Sequence, residues 1–296
     1  MKKSVSMLLA ALMLTGALAG CGSSASTSDS QTADSGVSGA ITVISREDGS
    51  GTRGAFIELT GVEEKTADGK KVDNTTADAE IANKTDVVLT SVAGNEKAIG
   101  YISLGALNDT VKAVKVDGAE ATVDNVKAGA YKLSRPFNIA TKGEPTGVAK
   151  DFINFILSKE GQAVVTDNKY IAVNDAAESF VSDGSSGQIA VGGSSSVSPV
   201  MEKLIEAYKS VNPNASIDLQ TSDSTSGMTG AMDGTFAIGM ASRELKDEEA
   251  AQLTGTAIAL DGIAVIVNPA NTIDELSMDQ IKSIYIGDIT DWGDLA

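Results

Sequence analysis

From residue 40 onward, short apolar runs are followed by Ser/Gly/Thr loops and then by apolar residues at helical spacing. Ile41-Thr42-Val43-Ile44-Ser45 reads as a strand, and beyond the polar run after it Phe56, Ile57 and Leu59 mark the buried face of a helix. Over residues 147–157 the apolar positions Val148, Phe152, Phe155 and Ile156 again recur with the helical period. A strand over 188–191 leads through a Gly/Ser loop to Ser198-Pro199, an N-cap with a first-turn proline, after which Val200, Leu204, Ile205 and Tyr208 form one apolar face. Strands are also predicted over 216–220 and 263–267. Ser277 and Gln280 have capping-box spacing, with Leu276 and Ile281 placed as a hydrophobic staple. Strands alternating with helices predict an α/β fold. The linker-like run Ser182-Asp183-Gly184-Ser185-Ser186-Gly187 divides it into a lobe over 40–182, a join over 183–187 and a lobe over 188–296. The charged clusters Glu63-Glu64-Lys65 and Lys246-Asp247-Glu248-Glu249 are expected to be solvated helix faces.

The chain opens differently. Lys2 and Lys3 precede an apolar stretch and small residues, the pattern of a secretory signal over residues 1–21. That signal ends Leu18-Ala19-Gly20-Cys21, which resembles a bacterial lipobox and implies cleavage before Cys21 and lipid attachment to it. Residues 22–39 are Ser, Thr, Ala, Asp and Gly with little apolar content, which suits a flexible tether. The expectation is a globular body anchored by lipid on the extracytoplasmic face of the cell membrane.

Composition narrows the chemistry. The 296 residues include no His and one Cys, which excludes a Ser-His-Asp or Cys-His catalytic set, a disulfide framework and a cysteine-rich zinc site. No catalytic residues, metal or cofactor are expected. With 23 Lys+Arg against 40 Asp+Glu, a net charge of -17 repels phosphate backbones, so nucleic acid is not an expected partner. Any anionic ligand must therefore be held by local dipoles against the overall field.

Three segments share the design such a ligand needs, a Ser/Gly/Thr loop leading into a helix. They are Ser45-Arg46-Glu47-Asp48-Gly49-Ser50-Gly51-Thr52-Arg53, Gly192-Gly193-Ser194-Ser195-Ser196-Val197 and Asp223-Ser224-Thr225-Ser226-Gly227-Met228. Helix N-termini leave amide N–H groups unpaired and carry partial positive charge, glycine lets the backbone approach a ligand, and Ser or Thr adds hydroxyl donors. Helix capping alone explains any one of these loops; three divided between two lobes point to an oxyanion. Arg46 brings a planar fork suited to bidentate oxyanion contact, or equally a surface pairing with Glu47 or Asp48.

Four stretches resemble the phosphate-binding proteins of ABC-type phosphate importers, which have the two-lobed periplasmic-binding-protein-like (type II) fold with the ligand cleft between lobes. They are Ser45 to Gly54 (Ser-Arg-Glu-Asp-Gly-Ser-Gly-Thr-Arg-Gly), Gly193-Ser194-Ser195-Ser196-Val197-Ser198-Pro199, Ser134-Arg135-Pro136-Phe137, and Ala259 to Pro269. The resemblance implies that Arg46, Ser50, Gly51 and Thr52 hold inorganic phosphate from one lobe, and Ser195, Ser196 and Ser224 from the other. It further implies delivery to membrane permease and ATPase subunits. Where the family often has an Asp that accepts the proton of monohydrogen phosphate, this chain has Ser242. A hydroxyl can turn its donor to phosphate or to sulfate, so another tetrahedral oxyanion stays open as ligand.

In that family the Gly-Ser-Ser-Ser half normally comes first, and here it comes second. The C-terminal Ile289-Thr290-Asp291-Trp292-Gly293-Asp294-Leu295 is similar to the family's run-up to the strand that here begins at Ile41, which implies a circular permutation opened between Ala296 and Ala40 and joined through Ser182 to Gly187. A truncated tandem array is the other account of the order. The rival functions are a serine hydrolase using Ser50 or Ser195 without histidine, and a surface lipoprotein for adhesion or signalling. No Gly-x-Ser-x-Gly elbow occurs in the chain to support the first.

Overall fold

The computed structural model describes residues 37–295. The expected signal over 1–21, its Cys21 and most of the tether over 22–39 lie outside the described residues.

The alternation read from the sequence produces one mixed sheet. Its strands are β1 (Thr42–Arg46), β2 (Glu80–Ala82), β3 (Ala98–Ser103), β4 (Lys112–Ala113), β5 (Ser134–Thr141), β6 (Gly187–Ser194), β7 (Ala215–Ser222), β8 (Ile238–Ala241) and β9 (Thr254–Val267). Their order is β7-β6-β8-β5-β9-β3-β1-β2, with β4 pairing the far end of β9. β1 runs parallel to β2 and β3, and β6 runs parallel to β7 and β8. β9 is antiparallel to both β5 and β3 and so belongs to both halves of the sheet.

Helices α1 (Gly51–Thr60), α2 (Thr85–Ala93), α3 (Gly147–Leu157), α4 (Lys159–Asp167), α5 (Ser198–Val211), α6 (Ser224–Asp233) and α7 (Met278–Ile286) cover the sheet. The buried face of α3 includes Val148, Phe152, Phe155 and Ile156, the positions that carry its helical period. α7 has the capping box of Ser277 with Gln280. At α5 the boundary shifts: Val197 is the cap position, Pro199 lies in the first turn, and the Ser198 hydroxyl donates back to the Ser194 carbonyl at 3.2 Å. Glu63–Lys65 is a short strand paired with Lys71–Asp73 and not the expected helix face. Of the second charged cluster, Asp247–Ala250 is helical, but Glu249 is buried because it pairs with Arg243 at 2.7 Å.

Among the described residues two large apolar cores form beside one small cluster around Met228, and the boundary between the large ones is not the expected division at 183–187. One gathers Val43, Phe56, Val88 and Tyr101 with Ile263–Val267, Ile281, Tyr285 and Trp292. The other gathers Phe137, Phe152, Phe155, Val200, Leu204, Tyr208 and Ile258. The chain passes from the first core to the second between Leu133 and Phe137 and returns between Ala259 and Ile263, with Ile171 alone reaching back into the first core in between. The reason is β9, whose 14 residues are long enough to serve both cores. A linker composition marks a surface connection, and it says nothing of which core its neighbours enter.

The connection itself is fixed. Asp151 on α3 accepts hydrogen bonds from the Asp183 amide (3.0 Å), the Ser182 hydroxyl (2.8 Å), the Tyr208 hydroxyl (2.7 Å) and the Asn212 amide (3.2 Å). Phe180 adds an edge contact to Phe155.

Candidate functional site

The three loop-to-helix turns meet at one buried place. Ser50 is the N-cap of α1, its side chain accepting from the Arg53 amide at 3.3 Å, and Asp223 caps α6 by accepting from the Ser226 amide at 2.8 Å. Gly51 and Thr52 are therefore the first residues of α1, and Ser224 is the first of α6, positions whose amides have no intrahelical acceptor. Ser195 and Ser196 follow the end of β6, and Ser242 follows the end of β8.

Hydrogen bonds tie the group together across the cleft. The Thr52 hydroxyl lies 2.8 Å from that of Ser196 and 3.4 Å from that of Ser242. Ser224 Oγ accepts from the Ser242 amide at 3.1 Å. Arg46 Nη2 donates to Ser195 Oγ at 3.1 Å. All eight residues expected from the sequence, Arg46, Ser50, Gly51, Thr52, Ser195, Ser196, Ser224 and Ser242, are buried here. Gly51 has a steric reason for its identity: a Cβ there would stand 2.4 Å from Ser224 Oγ and 2.9 Å from Ser242 Oγ. The two sides meet closely enough that only hydrogen fits between them.

Arg46 is held flat by the neighbour expected as one of its partners. Its Nε and Nη2 donate to the two Glu47 carboxylate oxygens, each at 2.8 Å, and Nε also reaches the Ala82 carbonyl at 3.2 Å. Asp48 takes no part in this clamp; it is exposed and stands 3.4 Å from Arg53. Glu47 leaves Nη2 a further hydrogen toward Ser195, so clamping and ligand contact coexist. The nearby guanidinium groups are already paired, Arg53 with Asp73 at 2.9 Å and Arg243 with Glu249 at 2.7 Å.

Two hydroxyls belong to this cluster and were not singled out as ligands from the sequence. Thr85, the first residue of α2, lies 3.5 Å from Ser195 Oγ and 3.4 Å from Ser196 Oγ. Ser194 donates to Ser242 at 2.9 Å. Ser194 stands inside the Gly/Ser loop already identified. Thr85 carried a fainter form of the same signal, a short polar run opening a helix.

The set can donate many hydrogen bonds from fixed directions and has one guanidinium, which suits a small oxyanion. Among the described residues no group of His, Cys, Asp and Glu is placed to hold a metal ion. Beside the cluster, one helical turn along α1, a cavity of about 620 Å³ is lined by Gly54, Ala55 and Glu58 of α1 together with Arg135, Arg243 and Lys246.

The chain is similar to known proteins over nearly its whole length. The family model of the PBP superfamily domain matches residues 17–160 and 179–296. The chain is 50% identical over 297 residues to the phosphate-binding protein PstS 2 of Streptococcus agalactiae, spanning 99% of this chain and 98% of that one. It is 48% identical over 293 residues to the phosphate-binding protein PstS 2 of Streptococcus pneumoniae, spanning 99% of each. The crystal structure of a phosphate-binding protein of a phosphate ABC transporter from Streptococcus pneumoniae superposes with a TM-score of 0.70 at 50% identity, covering 87% of this chain and 100% of that one.

Proposed function

The chain belongs to the PBP superfamily and, within it, to the phosphate-binding proteins of ABC phosphate transporters; from that premise we propose how it takes its ligand. It captures inorganic phosphate between its two lobes and hands it to the membrane permease of the importer, whose ATPase subunits drive transport. The observation that carries this reading is the convergence of Arg46, Thr52, Ser195, Ser196, Ser224 and Ser242, contributed by both sides of the cleft, on one buried point.

Stripping water from a doubly charged anion is costly, and donors fixed before binding compensate for it. Arg46 supplies the full positive charge, the first-turn amides of α1 and α6 supply partial charge, and the hydroxyls complete the shell. Because both lobes touch the ligand, it stabilises the closed arrangement over the open one. Nothing in this scheme requires bond making, and the protein acts as a carrier and not an enzyme. Ser242 supplies a hydroxyl where a carboxylate would repel sulfate, which makes sulfate the competitor to examine.

The lipobox at Cys21 supports lipid anchoring on the extracytoplasmic face. No helix among the described residues is long and apolar enough to cross a membrane. Circular permutation is supported by the neighbourhood of Ile41, whose amide donates to the Thr290 carbonyl at 2.8 Å while Ala40 pairs with Asp291. The segment 289–291 thus leads directly to the strand it would precede in the unpermuted order. The Streptococcus relatives match this chain end to end, so the order of halves is shared with them.

Calorimetric titration with phosphate and with sulfate at matched ionic strength tests the reading. Phosphate binding with sulfate weaker supports it. Absence of any phosphate heat or thermal shift overturns it.

A further inference from the structure

The two strands that carry the chain between the cores, β5 and β9, place a charged pair where they cross. Arg135 and Asp261 are register partners on these antiparallel strands. Both are buried, and they lie within the short passages that separate Leu133 from Phe137 and Ala259 from Ile263. Their contact is poor. Arg135 Nη2 stands 3.2 Å from Asp261 Oδ2 without hydrogen-bond alignment, and Nε, Nη1 and Nη2 of Arg135 find no acceptor in the protein. Asp261 Oδ1 accepts from the Gly105 amide at 3.4 Å, while the Ser103 hydroxyl stands close to Asp261 and Tyr170 without completing an aligned hydrogen bond to either.

The same neighbourhood joins the lobes mechanically. Tyr170 belongs to the second core, and its ring packs on Gly105, where a Cβ would stand 2.1 Å from the ring. Gly105 follows β3, in the first half of the sheet. Arg135 also lines the 620 Å³ cavity, together with residues of α1 and of the 243–248 segment. Widening the cleft therefore opens the guanidinium to water.

We propose that Arg135 and Asp261 are positioning residues that oppose lobe closure, so that the protein without ligand rests open and releases its anion readily. The inference rests on the two-lobed anion-binding reading above. Burying a charged pair is unfavourable unless its polar atoms are matched, and here Arg135 donates no hydrogen bond within the protein and has only the face of Phe137, 5.4 Å away, beside Asp261. Opening restores solvation to these groups; closing removes it, and the anion's contacts with both lobes offset the difference. Apparent affinity scales with the fraction of molecules already closed, so an open resting state weakens it. The electrostatics agree with the geometry. Desolvation pushes the Asp261 carboxyl up to about 6 despite the neighbouring Arg135. Desolvation likewise pushes the Arg135 guanidinium down to about 10, helped by the charge of Arg46 and countered by Asp261.

The test compares wild type with the double variant Arg135→Met/Asp261→Leu, which removes both charges, and with Tyr170→Phe, which keeps the ring on Gly105 and removes one unpartnered hydroxyl. Small-angle scattering without phosphate and stopped-flow release of phosphate are measured for each. The double variant is expected to be more compact without ligand and to release phosphate about tenfold more slowly at similar association rate, the sign of a shifted closure equilibrium. Tyr170→Phe should move release in the same direction by about twofold. Unchanged scattering and release in a folded double variant overturn the proposal. Should the double variant not fold, unchanged release in Tyr170→Phe overturns it by itself. Wild type that binds no phosphate would instead refute the carrier function, and its ligand-free scattering against the double variant would still decide the hinge.

Discussion

Thr52 and Ser196 meet hydroxyl to hydroxyl at 2.8 Å although 144 residues separate them along the chain. One opens a helix on the first half of the sheet, and the other follows the end of β6 on the second. An interaction between two short buried hydroxyls survives only when the lobes are shut.

Gly51→Ala is expected to block that closure. The new methyl would collide with Ser224 Oγ and Ser242 Oγ at 2.4 and 2.9 Å, while an alanine near the start of α1 leaves the helix intact. Phosphate affinity should fall by about 100-fold, equal to about 2.7 kcal/mol, with unchanged circular dichroism. Wild-type affinity in this variant would contradict the closed geometry.

Arg46→Ala removes the site's one guanidinium that reaches across to Ser195. Charge-assisted hydrogen bonds contribute about 1.5–3 kcal/mol, so affinity should drop by about 10- to 150-fold with the fold retained. Glu47, left without its partner, is part-exposed and can be solvated. Arg46→Lys should recover charge without the fork and fall between the two, as calorimetry can show.

Ser242→Asp should separate the oxyanions. Ser242 is buried beside Ser194, Ser224 and Thr52, so a carboxylate there faces any bound anion directly. It would accept the proton of monohydrogen phosphate and repel sulfate, which has none. The phosphate-to-sulfate affinity ratio should rise about tenfold or more in parallel titrations.

Two carboxylates shape the acid stability profile in opposite senses. Burial pushes Asp151 up, but hydrogen bonds from Asp183, Tyr208, Ser182 and Asn212 outweigh it and hold the group below the ordinary Asp value. Its stabilisation is present above an unfolded value of about 3.9 and is lost as pH falls through the lower folded value. Asp261 is raised to about 6, so between about 4 and 6 the folded state holds a proton the unfolded state lacks, and this group's contribution declines as pH rises through that window. Melting temperatures from pH 3 to 7 should show Asp151→Asn less stable at pH 7 with a shallower acid limb. Asp261→Asn should flatten the profile between about 4 and 6.

Much of the site was legible because its chemistry is local. Ser/Gly loops that open helices declare free amides in sequence, and the Arg46 and Gly51 positions are bound into one such loop. Thr85 was less visible, since its role depends on α2 being brought against Ser195 and Ser196 by tertiary packing. The helix periods of α3 and the cap of α7 were legible for the same local reason. Glu63–Lys65 misled because a charged triplet fits an exposed strand as well as a helix. The division of the cores was harder to see: in the run 254–267 Asp261-Gly262 interrupts the apolar pattern where the strand passes from one core to the other, and a mid-run Asp-Gly reads as easily as a turn.

The interleaving of the cores also sets an order of assembly. Phe137, Phe152, Val200 and Ile258 all lie in the middle of the chain, so the core they build can be completed before the chain is finished. The core begun by Val43 and Phe56 lacks Ile281, Tyr285 and Trp292 until the last segment is synthesised. The segment around Val43 and Phe56 thus depends on residues 281–292 for its core, whereas the second core closes on residues 137–259 alone, and domain-wise folding would complete it first.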